Sequence, residues 1–253
     1  MKKIICIYLL FVLSCNPSWF GLDEEIGIYS YHDGLAFAWE SFFEDDYDLA
    51  INYIISSITE TEDEPYFNSA YSTLGWLYLF KSNTFIGTEN QDSLLFYRES
   101  AMEQFNYIDN ENEAIIEYNT GCYYDHCCSD CFMADRKIGL LYTQIEEYFT
   151  DSESSQNIVD LLSELNLFIN DNPEYDFMNG KPPGSNGETI NLNIINVKLY
   201  LSQIYFRLGQ FEDSCNELNQ LTDYQKCNLD CDTVWDYSNI ENLLECISFE
   251  VLF

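Results

Sequence analysis

The sequence predicts an all-α protein, and three observations lead to that fold class. Apolar residues recur with helical spacing along most of the chain, few segments alternate with period two, and Gly and Pro are scarce inside the apolar runs. The aromatic content of 17% is explained more simply by core packing than by a ligand-stacking surface. The spacing predicts nine helices, over 29–43, 47–59, 66–81, 92–107, 131–149, 155–170, 189–208, 211–222 and 238–248.

The chain begins MKKIICIYLLFVLSCNPSWF, which has the pattern of a secretory signal. Two lysines precede an apolar run of about ten residues, 4–13, which is too short to span a bilayer as a helix. The run ends in Leu-Ser-Cys and resembles the lipobox of bacterial lipoproteins. The resemblance implies that residues 1–14 are a signal peptide and that Cys15 becomes an N-terminus anchored by several acyl chains.

Residues 15–27 are expected to form a lipidated tether before the helical domain, 28–253. The residue after Cys15 is Asn16 rather than Asp, and by resemblance to well-studied envelopes this favours the outer membrane. One alternative is an ordinary cleaved signal that contains a Cys. An uncleaved membrane helix is disfavoured because Asn16 and Pro17 end the apolar run.

Three segments within 28–253 combine small, aromatic and large apolar residues at similar offsets. In 199–221 these positions are Leu201, Ser202, Tyr205, Gly209, Phe211, Ser214 and Leu218. In 45–58 they are Tyr47, Ala50 and Ile54, with Phe37 and Ala38 on the partner helix. In 65–79 they are Leu74, Gly75 and Tyr78.

This arrangement resembles the tetratricopeptide repeat (TPR), in degenerate form and over about half of the chain. The resemblance implies an antiparallel helix-pair solenoid, in which small residues let helices cross closely and aromatics fill the gaps between pairs. A generic helical bundle is the alternative. In TPR proteins the concave groove binds a peptide or a partner protein, and Asn68, Ser72 and Lys198 are expected to be exposed on first helices here.

Eight cysteines remain after Cys15 is lipidated and the signal is removed, and they form two groups of four. The groups are Cys122, Cys127, Cys128 and Cys131, then Cys215, Cys227, Cys231 and Cys246. Exported proteins meet an oxidising compartment, so disulfides are expected, mostly within each group. The second group would tie the last repeat to the C-terminal helix and close the open end of a solenoid. Among the possible pairings the sequence does not choose.

The first group also allows two other kinds of site. Zinc could be held by Cys122, His126, Cys127 or Cys128, and Cys131, since Cys128 and Cys131 have the spacing of a zinc chelate. A redox-active pair is the other alternative. Zinc is disfavoured because a second knuckle is missing and because zinc thiolates oxidise outside the cytoplasm. The sequence therefore predicts disulfides, with no metal and no cofactor.

The clearest loop is 171–188, DNPEYDFMNGKPPGSNGE, whose Pro-Pro-Gly and Asn-Gly steps are incompatible with continuous helix. It is interpreted either as an internal joint or as a long surface excursion. It is also the one loop that could serve for solute capture.

The charge balance excludes two classes of partner. Removing residues 1–14 leaves eight basic and 44 acidic residues, a formal charge of −36. Such a chain repels phosphate backbones and anionic headgroups, so nucleic-acid binding is rejected, as is membrane contact beyond the anchor. Catalytic motifs such as G-x-S-x-G, H-E-x-x-H or a Gly-rich phosphate loop are absent from the sequence, which disfavours an enzyme.

These features together predict a non-enzymatic, lipid-anchored scaffold or binding protein of the cell envelope that engages a protein or peptide. Two alternatives come from resemblance to other TPR lipoproteins. One is an accessory lipoprotein of outer-membrane protein assembly, although those chains carry better-formed repeats and no cysteine clusters. The other is a solute- or glycan-capture lipoprotein of a nutrient-uptake system, although those chains are much longer.

Overall fold

The computed structural model describes residues 31–60, 67–106, 129–150, 157–177, 192–221 and 229–247. Across these ranges the chain is all-helical, with an isolated antiparallel bridge between Asp176 and Asn193 and no strand. The nine helices are α1 (Tyr31–Phe43), α2 (Tyr47–Glu60), α3 (Phe67–Asn83), α4 (Gln91–Asn106), α5 (Ser129–Thr150), α6 (Ile158–Asp171), α7 (Ile194–Arg207), α8 (Phe211–Asn219) and α9 (Tyr237–Ile247). The all-α prediction is confirmed. The predicted signal peptide and tether, 1–27, lie outside the described residues.

Eight of the nine predicted helices begin and end within three residues of the observed ones. The exception is 189–208, because α7 begins five residues later than predicted. Asn193 is extended (φ −133°, ψ 179°) and caps α7: its side chain accepts from the backbone of Asn196, whose own side chain accepts from the Asn193 N–H. This capping box satisfies free N–H groups at the helix start and fixes where the helix begins.

Each helix packs mainly against its neighbours along the chain. The closest pairs are α1 with α2, α3 with α4, and α7 with α8. Further contacts join α2 to α3, α4 to α5, α5 to α6 and α6 to α7, while α3 also touches α5 and α9 touches both α7 and α8. The contacts therefore form a succession of helix pairs, with α9 packed on the last of them.

Two apolar clusters fill the interior. The larger one draws on α1 to α7 and on the segment that follows α6, where Phe177 is fully buried. The Phe177 ring meets Trp39 and Trp76 edge to face, with centroid distances of 6.2 and 4.9 Å. Tyr175 and Phe177 of the predicted loop 171–188 therefore belong to the core, and the rest of that loop, 178–188, lies outside the described residues.

The second cluster joins α7, α8, α9 and the segment before α9. Its members include Leu199, Leu218 and Leu243, all completely or almost completely buried. Helix α7 contributes to both clusters, since Leu199 belongs to the second and Leu201 and Ile204 to the first.

Small residues mark the closest contacts between helices. The Phe105 ring of α4 lies between Gly75 of α3 and Gly139 of α5: a Cβ on either glycine would lie 2.5 or 2.4 Å from a ring carbon. At the α7–α8 crossing, Ser202 and Ser214 are fully buried and each hydroxyl donates to the other's carbonyl at 2.8 Å. Gly75 does admit a close approach, as expected, but the group that approaches it is the Phe105 ring rather than the backbone of another helix.

Candidate interaction surface

Exposed apolar side chains gather where α3 turns into α4. Ile86 is 55% exposed, Leu95 40% and Phe96 59%, although each is a large apolar residue. Phe85 and Tyr97 lie beside them and are half-buried. We call these five residues the aromatic surface. Contiguous exposed apolar groups of this kind mark interaction sites more often than single exposed residues do.

The turn between the helices is held by its own hydrogen bonds. The backbone N–H groups of Thr84, Phe85 and Ile86 donate to the carbonyls three residues earlier, which continues the end of α3 as tight turns. Gly87 then takes φ +74°, a conformation that favours glycine because it has no Cβ. The Thr88 hydroxyl donates to the Phe85 carbonyl at 2.7 Å and accepts from the backbone N–H of Asn90 at 3.2 Å. The turn therefore presents Phe85 and Ile86 in a defined position.

Tyr97 is the centre of a ring stack that supports the surface. The Phe85 ring lies parallel to it with a centroid distance of 5.7 Å, Tyr78 stacks at 6.2 Å, and Phe96 meets its edge at 5.1 Å. The Lys81 ammonium lies 4.5 Å from the Tyr97 centroid and forms an ion pair with Asp48 of α2. These contacts make the stack a continuous block that joins the turn to three helices.

Lys81 is buried but keeps its charge. Burial acts to lower its pKa, but hydrogen bonds to Asp48 and Tyr97 and the charge of Asp48 outweigh that effect and raise the pKa above its usual value. Burial also raises the pKa of the Tyr78 hydroxyl, and so do the nearby Tyr97 and Glu103. Lys81 is thus an internal cation of the stack and not an exposed contact.

The outer face of α4 carries exposed apolar residues and exposed acidic residues side by side. Leu95 and Phe96 lie within three or four residues of Asp92 and Glu99, and Glu103 follows one turn later. Residues at these spacings are neighbours on a helix surface. All five side chains are exposed. The surface therefore has an apolar centre with carboxylates on both sides along the helix.

The inner face of α4 is anchored by Arg98, which is only 2% exposed. One of its terminal nitrogens donates to the Thr150 hydroxyl at 2.6 Å and to the Glu146 carbonyl at 3.4 Å, both on α5. Its Nε has no hydrogen-bond partner. Burial lowers the Arg98 pKa, and the charge of Glu146 opposes that shift. The orientation of α4 is fixed by this contact.

Glu146 joins α5 to α7 at the same place. Its carboxylate accepts from Arg207 at 2.5 and 3.3 Å and from the Tyr200 hydroxyl at 2.9 Å. The Arg207 guanidinium also lies 3.6 Å from the centroid of the Phe149 ring. Burial raises the pKa of the Tyr200 hydroxyl well above its usual range, and the Glu146 charge adds to the shift. We call Arg98, Glu146 and Arg207 the polar junction; it positions three helices behind the aromatic surface.

The three groove residues predicted from the sequence differ in how far the structure describes and exposes them. Ser72 is 1% exposed, so its expected exposure is wrong: α3 is packed by α2, α4 and α5, and residues 72–77 are all buried. Lys198 is half-buried on α7, and its charge opposes the burial-induced rise in the pKa of Glu217 on α8. Asn68 lies in the first turn of α3, and its side chain is outside the described residues.

The cysteine prediction is consistent with the structure for the second group. Cys215 of α8 is disulfide-bonded to Cys231, 16 residues later, and Cys246 of α9 is disulfide-bonded as well. Of the remaining predicted positions, Cys15, Cys122, His126, Cys127, Cys128 and Cys227 lie outside the described residues, as does the side chain of Cys131. The zinc alternative at Cys122, His126, Cys128 and Cys131 therefore stays a hypothesis.

The sequence did contain a signal for the aromatic surface. The buried residues of α4 are Leu94, Arg98, Ala101 and Phe105, a regular stripe with helical spacing. Leu95 and Phe96 are apolar but fall outside that stripe. They should be read as surface residues once the stripe is recognised.

No protein-family model, no curated protein and no solved structure matches this chain. No helix in the described part of the chain has the length and apolar character needed to cross a membrane. Within the same ranges, no group of three or more His, Cys, Asp or Glu side chains is arranged to hold a metal ion.

Proposed function

We propose that this protein is a non-enzymatic, lipid-anchored binding protein of the cell envelope, on the outer membrane, which engages a protein partner through the aromatic surface. The observation that carries the proposal is the exposure of Ile86, Leu95 and Phe96 on a block of stacked rings. A free apolar surface of this kind is costly in water unless a partner covers it. The envelope location rests on the lipobox-like Leu-Ser-Cys that ends at Cys15.

We further propose that the helix pairs form a TPR-like solenoid stapled by disulfides. The succession of pairwise contacts supports this arrangement, as do the contacts between α3 and α5 and between α7 and α9, which skip one helix. The turn at Gly209 (φ +74°) and the Ser202–Ser214 crossing match the pattern that suggested the repeat. The Cys215–Cys231 disulfide would then stabilise the terminal pair.

Site-specific photo-crosslinking in the native host tests partner binding. A photoreactive amino acid is placed at residue 96, and the matched control carries it at Val159 of α6, which is 67% exposed and does not belong to the aromatic surface. The proposal predicts one defined protein crosslinked from position 96 and none from 159. Equal crosslinking from both positions, or no crosslink at all, would contradict it.

The anchor is tested separately. Purification in detergent under non-reducing conditions, followed by intact mass measurement, should give a chain that begins at Cys15 and carries acyl groups. The Cys15→Ala variant should lose the acyl groups and leave the membrane fraction. An unmodified Cys15 in the wild-type protein would refute the anchor and leave the crosslinking result unaffected.

A further inference from the structure

We infer that the partner segment bound by the aromatic surface is basic at both ends and apolar at its centre. The inference rests on the proposed function and names the chemistry of the ligand. It follows from the order of exposed side chains along α4: Asp92, then Leu95 and Phe96, then Glu99 and Glu103. A segment that lies along α4 therefore meets a carboxylate, an apolar contact and two more carboxylates in that order.

The spacing of the acids sets the length of the segment. Asp92 and Glu103 are eleven residues apart, which corresponds to about 16 Å along a helix. A helical ligand would place its basic side chains about ten or eleven residues apart, with apolar residues between them on the same face. Phe96 and Leu95 provide the central apolar contact, and the exposed Ile86 adds apolar surface in the turn that precedes α4.

No exposed cation competes with such a ligand inside the surface. The basic residues of α3 and α4, Lys81 and Arg98, are only 8% and 2% exposed, and both have partners within the protein: Lys81 pairs with Asp48 and Arg98 contacts Thr150. The whole chain carries a formal charge of −34, which adds a long-range attraction for basic segments. An acidic segment would be repelled, and a purely apolar one would leave the carboxylates without partners.

The net negative charge of the chain would attract any basic peptide. The test must therefore separate the effect of where the basic and apolar residues lie in the peptide from the effect of its overall composition. The probes are two synthetic amphipathic peptides of about 18 residues with the same composition of Lys, Leu, Phe and Gln. In the first, the lysines lie at both ends of one face and Leu and Phe at its centre; in the second, these positions are exchanged. Each is labelled, and its binding to the detergent-purified, oxidised full chain is measured by fluorescence anisotropy.

Two pairs of variants locate the binding site. Leu95→Ala with Phe96→Ala removes the apolar centre, and its control is Val159→Ala with Leu167→Ala on α6, where the exposed side chains are two helical turns apart. Glu99→Gln with Glu103→Gln removes two carboxylates, and its control is Glu164→Gln with Glu174→Gln, which changes the net charge equally. All eight side chains are exposed, so the fold should persist in each variant, as circular dichroism would check.

The first peptide is expected to bind wild type at least about tenfold more tightly than the second. Each α4 variant should weaken binding of the first peptide by about tenfold or more, and each control variant should change its binding less than about threefold. Binding should also weaken as salt rises from low to physiological concentration. Equal affinity for the two peptides, or equal loss of binding in the α4 variants and their controls, would overturn the inference.

The outcome is distinguishable from failure of the proposed function. If residue 96 crosslinks to one defined partner but the peptide order has no effect, the protein is a binding protein for a different ligand chemistry. If the peptide prediction holds but position 96 crosslinks to nothing in the native host, the surface chemistry stands and the proposed cellular function fails.

Discussion

The Phe105 ring fills the space between two glycines, and this gives Gly75→Ala an effect whose sign depends on residue 105. The new Cβ would lie 2.5 Å from a ring carbon, closer than any ordinary contact. The ring has little room to move, because a Cβ on Gly139 would lie 2.4 Å from its Cζ and Trp76 meets the ring edge to face at a centroid distance of 5.7 Å. Overpacking of this kind costs about 1–3 kcal/mol.

The magnitude follows from two opposing terms. Alanine is favoured over glycine inside a helix by about 1 kcal/mol. With the clash at the upper end of its range, Gly75→Ala should destabilise wild type by about 2 kcal/mol. In a Phe105→Ala background the ring is absent, the clash disappears, and the same substitution should stabilise by about 1 kcal/mol. The coupling energy between the two sites is therefore about 3 kcal/mol.

Urea unfolding followed by far-ultraviolet circular dichroism measures all four corners of this double-mutant cycle. Phe105→Ala alone should cost about 3–5 kcal/mol, and Phe105→Leu replaces it if that variant does not fold. Gly75→Ala with the same sign and size in both backgrounds would refute the reasoning, because it would mean that the ring does not occupy the space between the glycines.

Three further predictions concern the polar junction, the tyrosines and the disulfide. Glu146→Gln should lower the free energy of unfolding by about 1–3 kcal/mol, because Arg207 loses a charged acceptor and Arg98 loses the negative charge that most opposes the effect of its burial. Denaturant titration beside Arg207→Gln would show whether the Arg207 ion pair accounts for the loss. Among the described residues, burial raises the pKa of five tyrosine hydroxyls, and the largest shifts are those of Tyr142, Tyr175 and Tyr200. The unfolded chain therefore releases these protons at lower pH than the folded one. These three hydroxyls should leave stability unchanged below about pH 10 and lower it above that pH by up to about 4 kcal/mol per pH unit, seen as tyrosinate absorbance that appears together with unfolding. Replacing Cys215 and Cys231 together by Ser should cost about 3 kcal/mol, as expected for a loop of 16 residues, and an unchanged midpoint under non-reducing conditions would contradict that.

Helix positions could be predicted from this sequence because burial leaves a periodic record. Leu94, Arg98, Ala101 and Phe105 repeat with the spacing of one helix face, and eight of nine helices were placed within three residues. The start of α7 differs from the prediction because apolar Leu192 extends the helical pattern backwards. Leu192 instead precedes the helix cap, and its carbonyl accepts from the backbone N–H of Phe177. A capping box is a local signal that periodicity does not contain.

The candidate surface was harder to predict, for a physical reason. The presence of an aromatic residue in the sequence does not show whether its side chain is buried, as that of Trp76 is, or exposed, as that of Phe96 is. The prediction for Ser72 was wrong in the opposite sense: it was expected to be exposed and is buried. A small polar residue suggests a surface position, but it fits equally well where three helices enclose α3. Long-range partners such as Arg98 with Thr150 are 52 residues apart, and no spacing rule reports them. Exposure depends on the assembled neighbours, which the local pattern does not encode.

Helix α7 packs against both apolar clusters, and this arrangement lets one end of the molecule unfold locally. Loss of α8 and α9 would expose Leu199 but leave Leu201 and Ile204 packed on the larger cluster. Loss of α7 would dismantle both clusters at once. The C-terminal cluster can therefore open while the larger cluster stays packed. Reduction of the Cys215–Cys231 bond should accordingly speed amide hydrogen exchange in α8 and α9 much more than in α3.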